Sequence, residues 1–576
     1  MRTLRLVLVA LLAAGAAACK DALNVTNPNS PDRSRALARP GDVENLIGAS
    51  YQIVHNATLG AYCAINTQSM SMSLENGSNL SNNNTGPRGN IFPAGRSGID
   101  NSRNNPVASG NFRDFQLLNR AARQAATGLA AVNAVTFTFF PPSAPQVARA
   151  KAMGHFVLGT ALGNLALIYD QGSIISPNDD QSNPIPPPLV PYDSIMRYAL
   201  RELDSSMHYD TLAATSWPGA GALNWFGNPG LVVSRDSMVA WALGYKARFM
   251  AGVSRTPADR AAVNWPTVIS YATTFLGTFP NGVILNMLPS GGFTVGYLSQ
   301  LFASNQQSWS MEWQFVMGMA DTSGGYATWI GTNSAAKQPF LVVTPDKRFP
   351  QGTTRVAQQG AGCPAACTNG QGTSSAPMLP GQYIRNRAQG DWVMDPFGTS
   401  FYDHERWAPY VLNTSIGPFP VMPAAEIRLL RAEGYVRTAQ FVLARTDIDV
   451  TRAANNLPTL TSMGLADNTT PVGPTATACI PKVPTIGVAG TGTVACGTMM
   501  EALKYEKRIE TQFTAPYGWY LDARGWGDLA VNTATQWPTP YQEIDTRQLF
   551  APAPPYPGPY GGGALFSAAT NTYGLH

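Results

Sequence analysis

The sequence predicts a mainly α fold of stacked, tetratricopeptide-like helical hairpins, interrupted by one long loop-rich region that holds a few short strands. Three observations lead there. Apolar residues recur at three- and four-residue spacing in a series of separate segments. These segments follow one another every few dozen residues, although no strict period of about 34 residues survives. The 54 glycines and 45 prolines cluster between them.

The clearest segment is YDSIMRYALRELDSSM, in which Tyr192, Ile195, Met196, Ala199, Leu200, Leu203 and Met207 share one face. In SRDSMVAWALGYKARFMAGV the stripe is Met238, Trp241, Tyr245, Phe249 and Gly252, with Ser234 or Asp236 available as a cap. The same spacing predicts helices over 42–57, 112–133, 146–170, 264–277, 423–445 and 498–514. Within ARAKAMGHFVLGTALGNLALIYDQG, Gly154, His155, Gly159, Gly163 and Asn164 break the apolar run, which predicts a buried, closely packed helix in place of a membrane span. From 285 to 420 the composition shifts to Gly, Ser, Asn, Pro and scattered aromatics, and no helix is expected. Inside it QSWSMEWQF alternates, so Trp309, Met311, Trp313 and Phe315 should face the core while Ser310, Glu312 and Gln314 face water.

Composition narrows the function. The chain is 44% hydrophobic and 13% charged with a net charge of +4, and no Lys/Arg run of the kind that grips phosphates is present, so nucleic acid is not an expected partner. No HExxH, P-loop or Rossmann glycine motif points to a metal or a cofactor, and neither is expected.

The first residues carry an address. Arg2 and Arg5 form a short positive region at the head of an apolar run from Leu4 to Leu12, which a small-residue zone from Ala13 to Ala18 follows, the pattern of an export signal. Ala16-Ala17-Ala18-Cys19 resembles the bacterial lipobox, with Ala16 where Leu is usual, and implies lipidation of Cys19. Two or more acyl chains hold a protein stably on a membrane that it does not cross. Residues 1–18 are thus expected to be a signal peptide and 19–40, rich in Asn, Pro and Ser, a tether. Among the other cysteines, Cys479 and Cys496 bracket a Pro/Gly/Thr-rich excursion suited to a bridge, and Cys363 and Cys367 are placed for a small ring; Cys63 stands alone. None of the five histidines stands near them to complete a zinc site.

Several segments together resemble the SusD/RagB family of nutrient-binding outer-membrane lipoproteins. DVENLIGASYQIVHN is similar to that family's first helix, FRDFQLLNRAARQAATGLAAVN to its second, and ARAKAMGHFVLGTALGNLALIYDQG to its long helix ending in an aromatic-Gly turn. In the C-terminal third, VMPAAEIRLLRAEGYVR, TRAANNLP and MEALKYEKRIETQFTAPYGWYLDARGWGDL resemble the family's charged helices and its closing Asp-x-Arg and Trp, with Lys507 as a departure. Glu506, Arg508, Glu510, Asp522 and Arg524 are read as ion pairs that fix the last helices to the core, because charge-assisted hydrogen bonds hold such elements in register.

The resemblance implies one SusD-like unit over 41–576, divided at 284/285 and 420/421 into a helical-hairpin part, a ligand-side part and a C-terminal part. It further implies an outer-membrane protein facing the cell exterior, which captures a glycan or another oligomeric nutrient and caps a SusC-like TonB-dependent β-barrel. Ligands would then meet residues 76–96 and 293–331, where Asn82, Asn83, Arg88, Phe92, Tyr297, Tyr326 and Trp329 are the candidate binding residues. Such rings and short polar side chains suit the apolar faces and hydroxyls of sugars, although loop aromatics also anchor loops and SNNNT is a good turn. The alternatives are a lipid-anchored surface glycoside hydrolase, for which Asp403, His404 and Glu405 in FYDHERWAPY form the most enzyme-like cluster, and a scaffold or peptide-binding module. Polysaccharide, glycoprotein glycan and peptide all stay open as cargo.

Overall fold

A computed structural model of the chain describes residues 37, 39–60, 65–77, 96, 98–105, 108–134, 144–180, 186–217, 225–227, 231, 233–301, 311–333, 336–360, 381–387, 399–407, 410, 414–473, 479–486 and 492–548. The fold is mainly α. Its first part contains α1 (Pro40–Thr58), α2 (Ile65–Met72), α3 (Ala108–Asn133), α4 (Ala144–Ile168), α5 (Tyr192–Leu212), α6 (Arg235–Gly252), α7 (Pro257–Ala261) and α8 (Trp265–Thr278). Successive helices pack on one another: α3 on α1, α4 on α3, α5 on α4, α6 on α5 and α8 on α6. Between α4 and α5, β1 (Gln171–Ser173) and β2 (Leu189–Pro191) pair antiparallel.

The glycines of α4 explain how this helix serves three neighbours. A methyl at Gly154 would come within 2.7 Å of Leu129 on α3, one at Gly159 within 2.9 Å of Leu203 on α5, and one at Gly163 within 2.1 Å of Phe249 on α6. Each glycine admits a large side chain from a different helix, as the sequence predicts. Among the described residues no helix is long and apolar enough to cross a membrane. On α6 the expected cap is Ser234, whose side chain accepts from the Ser237 amide while Ser237 answers to the Ser234 amide. Burial on α6 extends beyond the predicted stripe and takes in Lys246 and Arg248, whose charges meet Asp204 and Glu426.

The middle region differs from expectation. It carries β3 (Gly282–Met287), four short helices, α9 (Gly296–Leu301), α10 (Gln314–Gly318), α11 (Gly325–Gly331) and α12 (Arg355–Gly360), and β4 (Met311–Trp313), β5 (Ile384–Asn386), β6 (Thr399–His404) and β7 (Gly417–Pro423). Strand β3 pairs with β7, and β6 lies between β4 and β5, all antiparallel. The predicted alternation along QSWSMEWQF ends at Trp313, where α10 begins. Glu312 and Gln314, expected to face water, are buried. The cause is polar partners supplied from afar: Gln512 Nε2 donates to Glu312 Oε1 at 2.6 Å and the Phe340 amide to Gln314 Oε1 at 3.0 Å. Trp313 is in the core as predicted, and Trp309 lies outside the described residues.

The last part holds α13 (Ala424–Arg437), α14 (Phe441–Ala454), β8 (Lys482–Ile486), β9 (Gly492–Cys496), α15 (Met499–Thr511), α16 (Gly518–Trp526) and α17 (Tyr541–Gln548). The single helix expected over 423–445 is two helices, because Ala439 takes a left-handed φ of 57° and turns the chain. Helices α13 and α14 form a packed pair that receives α15. Cys479 and Cys496 form the expected disulfide, closing the antiparallel β8–β9 hairpin with their Cα atoms 5.6 Å apart. Cys63, Cys363 and Cys367 lie outside the described residues.

Candidate functional site

The charged hallmark of the C-terminal third is a buried ion-pair lattice. Arg348, fully buried, binds Asp346 (2.7 Å), Glu506 (2.9 Å) and Glu510 (2.9 Å). Arg260, equally buried, binds Glu433 (2.5 Å) and Asp522 (3.0 Å). Asp522 also receives Lys507 at 2.7 Å, and Asp528 receives Lys504 at 3.0 Å and Arg508 at 2.6 Å. Burial alone would push the Glu433 carboxyl up, but Arg260 and Arg437 hold it well below the usual carboxylate range. Lys507, the departure from the family pattern, thus has a structural task. Arg524 pairs with no carboxylate among these. It donates to the carbonyls of Gly252 (2.7 Å), Ser254 (2.8 Å), Thr535 (2.7 Å) and Leu167 (3.2 Å), setting a cation at the C-terminal ends of α4 and α6, where the helix dipoles favour one.

The sequence points to the Glu506–Arg524 side of this lattice. Arg260, Asp346 and Arg348 carry no local signal beyond being charged, because each meets partners supplied by other elements, whereas Glu433 and Asp528 lie within segments that the sequence already singles out. The lattice fixes α13, α15, α16 and the strand-rich region as one framework, and its members are positioning residues.

The enzyme-like cluster resolves in the same way. Asp403 accepts from Arg385 at 3.1 and 2.6 Å, and Glu405 lies 3.3 Å from the same guanidinium. His404 is buried edge-on against Phe513, with ring centres 4.9 Å apart, and burial pushes its imidazole well below its ordinary pKa. These three side chains are at most 5% exposed and reach no surface at which a substrate could be attacked.

Among the predicted ligand contacts, Tyr297 and Tyr326 are corrected by the structure. Both are fully buried. The Tyr297 hydroxyl donates to the Phe513 carbonyl and that of Tyr326 to the Phe315 carbonyl at 2.8 Å. Trp329 is 5% exposed; it stacks on Tyr326 at 6.3 Å and carries Lys337 4.4 Å above its ring. These rings hold α9, α10 and α11 in place, and a buried aromatic with its polar tip satisfied offers a ligand little. The periodicity of so short a stretch gives no sign of this.

Asn82, Asn83, Arg88 and Phe92 lie outside the described residues, as does Cys19. What is described is how the segment carrying the first four is held. At its start, Gly77 and Met311 exchange backbone hydrogen bonds of 2.6 and 2.9 Å, and the Trp313 indole donates to the Asn76 carbonyl at 3.0 Å. The Glu75 carboxyl accepts from the Phe513 amide at 2.7 Å, and Gln512 joins the Glu75 carbonyl (2.9 Å) to Glu312. At its end, buried Arg96 donates to the Met72 carbonyl (2.8 Å) and to Thr533 Oγ1 (2.7 Å). The start of residues 76–96 is therefore fastened beside β4 and their end to Met72 of α2 and to Thr533. Among the described residues no cluster of His, Cys, Asp and Glu is arranged to hold a metal ion.

No protein-family model and no curated protein matches the sequence. Solved structures do. A SusD-superfamily protein from Bacteroides vulgatus is 13% identical, with 89% of this chain and 91% of that chain covered and a TM-score of 0.45. A SusD-like protein from Bacteroides fragilis is 11% identical, with 86% and 88% covered and a TM-score of 0.48. A SusD-like carbohydrate-binding protein from the same species is 11% identical, with 94% and 97% covered and a TM-score of 0.42. Over most of its length the chain is thus similar to these three solved structures, which are named as SusD-superfamily or SusD-like proteins.

Proposed function

We propose that this protein is a cell-surface lipoprotein that binds a glycan or another oligomeric nutrient and caps a SusC-like TonB-dependent outer-membrane transporter. In this reading residues 1–18 are removed, Cys19 is acylated, 19–40 serve as the tether, and 41–576 form one SusD-like unit. The observation that carries it is the fastening of residues 76–96 at both stems to a framework stiffened by buried ion pairs. A binding segment gains affinity when its ends are fixed, because less freedom is lost when it meets a ligand. That segment offers Asn82, Asn83, Arg88 and Phe92, and with Tyr297 and Tyr326 spent on packing, these four are the contacts favoured for the ligand.

Mild-detergent purification from the native outer membrane, followed by mass spectrometry of the N-terminal peptide and of co-purifying proteins, tests the proposal. Acylated Cys19 and a stoichiometric β-barrel transporter are the expected result. Recovery of a solitary protein without lipid would overturn it.

A further inference from the structure

A second cleft lies far along the chain from residues 76–96. It has a volume of about 470 Å³, within the range of roughly 300–1,000 Å³ usual for small-molecule sites, and is walled by the β8–β9 hairpin on one side and the first turns of α15 on the other. The hairpin wall is held by the Cys479–Cys496 bridge, and Cys496 itself lines the cleft.

The lining is polar and has groups to spare. Arg437 keeps about a fifth of its side chain exposed, lies 5.2 Å over the Trp265 ring and hydrogen-bonds Glu433 through Nε at 2.8 Å; among the described residues no acceptor is bonded to its two terminal nitrogens. Asn468 accepts through Oδ1 from the Met500 amide (2.7 Å) and the Thr498 hydroxyl (3.2 Å), and its NH2 group donates to no described residue. Thr485 on the hairpin is exposed. The neighbouring cations already have carboxylate partners, Asp528 for Lys504 and Arg508 and Asp522 for Lys507, which leaves the terminal nitrogens of Arg437 as the cationic donors on offer. Trp526, also in the lining, has Lys504, Lys507 and Arg508 at 5.7, 5.6 and 5.5 Å from its ring. The one lining carboxylate, Glu501, is met by Lys504 at 3.1 Å, and burial raises its carboxyl, so its repulsion of an anion is muted.

We propose that this cleft binds a small hydroxylated carboxylate, of the size and chemistry of a uronic acid, with its carboxylate on the free edge of Arg437 and its hydroxyls on Asn468 and Thr485. A guanidinium edge suits a carboxylate because two parallel N–H groups match its two oxygens. The inference does not depend on the ligand reading for residues 76–96.

Titration calorimetry of the purified protein with D-glucuronate, D-glucose and acetate tests it. Glucuronate should bind, and glucose and acetate should bind at least about tenfold more weakly. Arg437→Gln should weaken glucuronate by on the order of tenfold, with Arg437→Lys recovering part of the loss. Because Arg437 also supports Glu433, Thr485→Trp serves as the second variant: it fills the cleft from an exposed position, and should abolish binding without moving the melting temperature. Absence of glucuronate binding, equal binding of acetate, or undiminished binding by Thr485→Trp would each overturn the assignment.

Discussion

Arg96 reaches back to the carbonyl of Met72, its Nη1 donating at 2.8 Å, and so ties the end of residues 76–96 to the helix that precedes their start. A guanidinium placed there closes the segment with charge-assisted hydrogen bonds, each worth about 1.5–3 kcal/mol. Arg96→Ala should lower stability in urea unfolding by about that amount and, under the function proposed above, weaken glycan retention on affinity gels. Unchanged retention in a destabilised variant would separate this segment from the ligand.

Removing the cation at the centre of the lattice should be among the costliest single changes. Arg348→Met leaves Asp346, Glu506 and Glu510 facing one another in the core, and breaking a buried pair on one side costs about 3–5 kcal/mol. Chemical denaturation at neutral pH would read this. Arg348→Lys should recover only part of it, since an ammonium does not reproduce the fork of the guanidinium.

Gly163→Ala brings a methyl into the Phe249 ring, which would stand 2.1 Å away. Overpacking of this kind costs about 1–3 kcal/mol. The double variant Gly163→Ala/Phe249→Leu should recover part of the loss, and calorimetric melting of the three chains would show it.

Glu75 contributes stability that is greatest on the acid side. Burial, first of all, raises the Glu75 carboxyl from 4.5 to about 8. Between those two values the folded chain keeps a proton that the unfolded chain has released, so the stabilisation is fully present below the lower value and declines as pH rises through the window. Glu75→Gln keeps an acceptor for the Phe513 amide and removes the titration. Its melting temperature should therefore fall less steeply between pH 5 and 8 than that of the parent, and an identical slope would refute the assignment.

The Cys479–Cys496 bridge spans a sequence separation of 17, and opening it should cost about 3 kcal/mol in the chain-entropy account. Unfolding with and without reductant, compared with Cys479→Ser/Cys496→Ser, measures this directly.

The helices over 40–58, 108–133 and 192–212 were legible in the sequence because their 3.6-residue periodicity is long, and that over 144–168 because it is apolar on nearly every side over a length no strand reaches. The short helix α2 was not. All eight of its residues are buried, among them Asn66, Thr67 and Gln68, so no amphipathic pattern marks it. The break at Ala439 escaped for a related reason: a left-handed alanine leaves no trace in composition, whereas a glycine there would have signalled it.

By itself the sequence determined the mainly α class, the close glycine packing of α4 and the role of Glu506, Arg508, Glu510 and Asp522 as ion pairs, and it offered the Cys479–Cys496 bridge as one possibility that the fold then settled. All of these depend on local periodicity, residue size or charge. Tertiary structure alone decided which charges meet: Arg260 finds Asp522 across 262 residues, and Arg348 finds Glu506 across 158. It also decided that Tyr297 and Tyr326 are core residues, because an aromatic ring in a loop-rich stretch suits a binding face or a buried contact equally until the surrounding chain is folded over it.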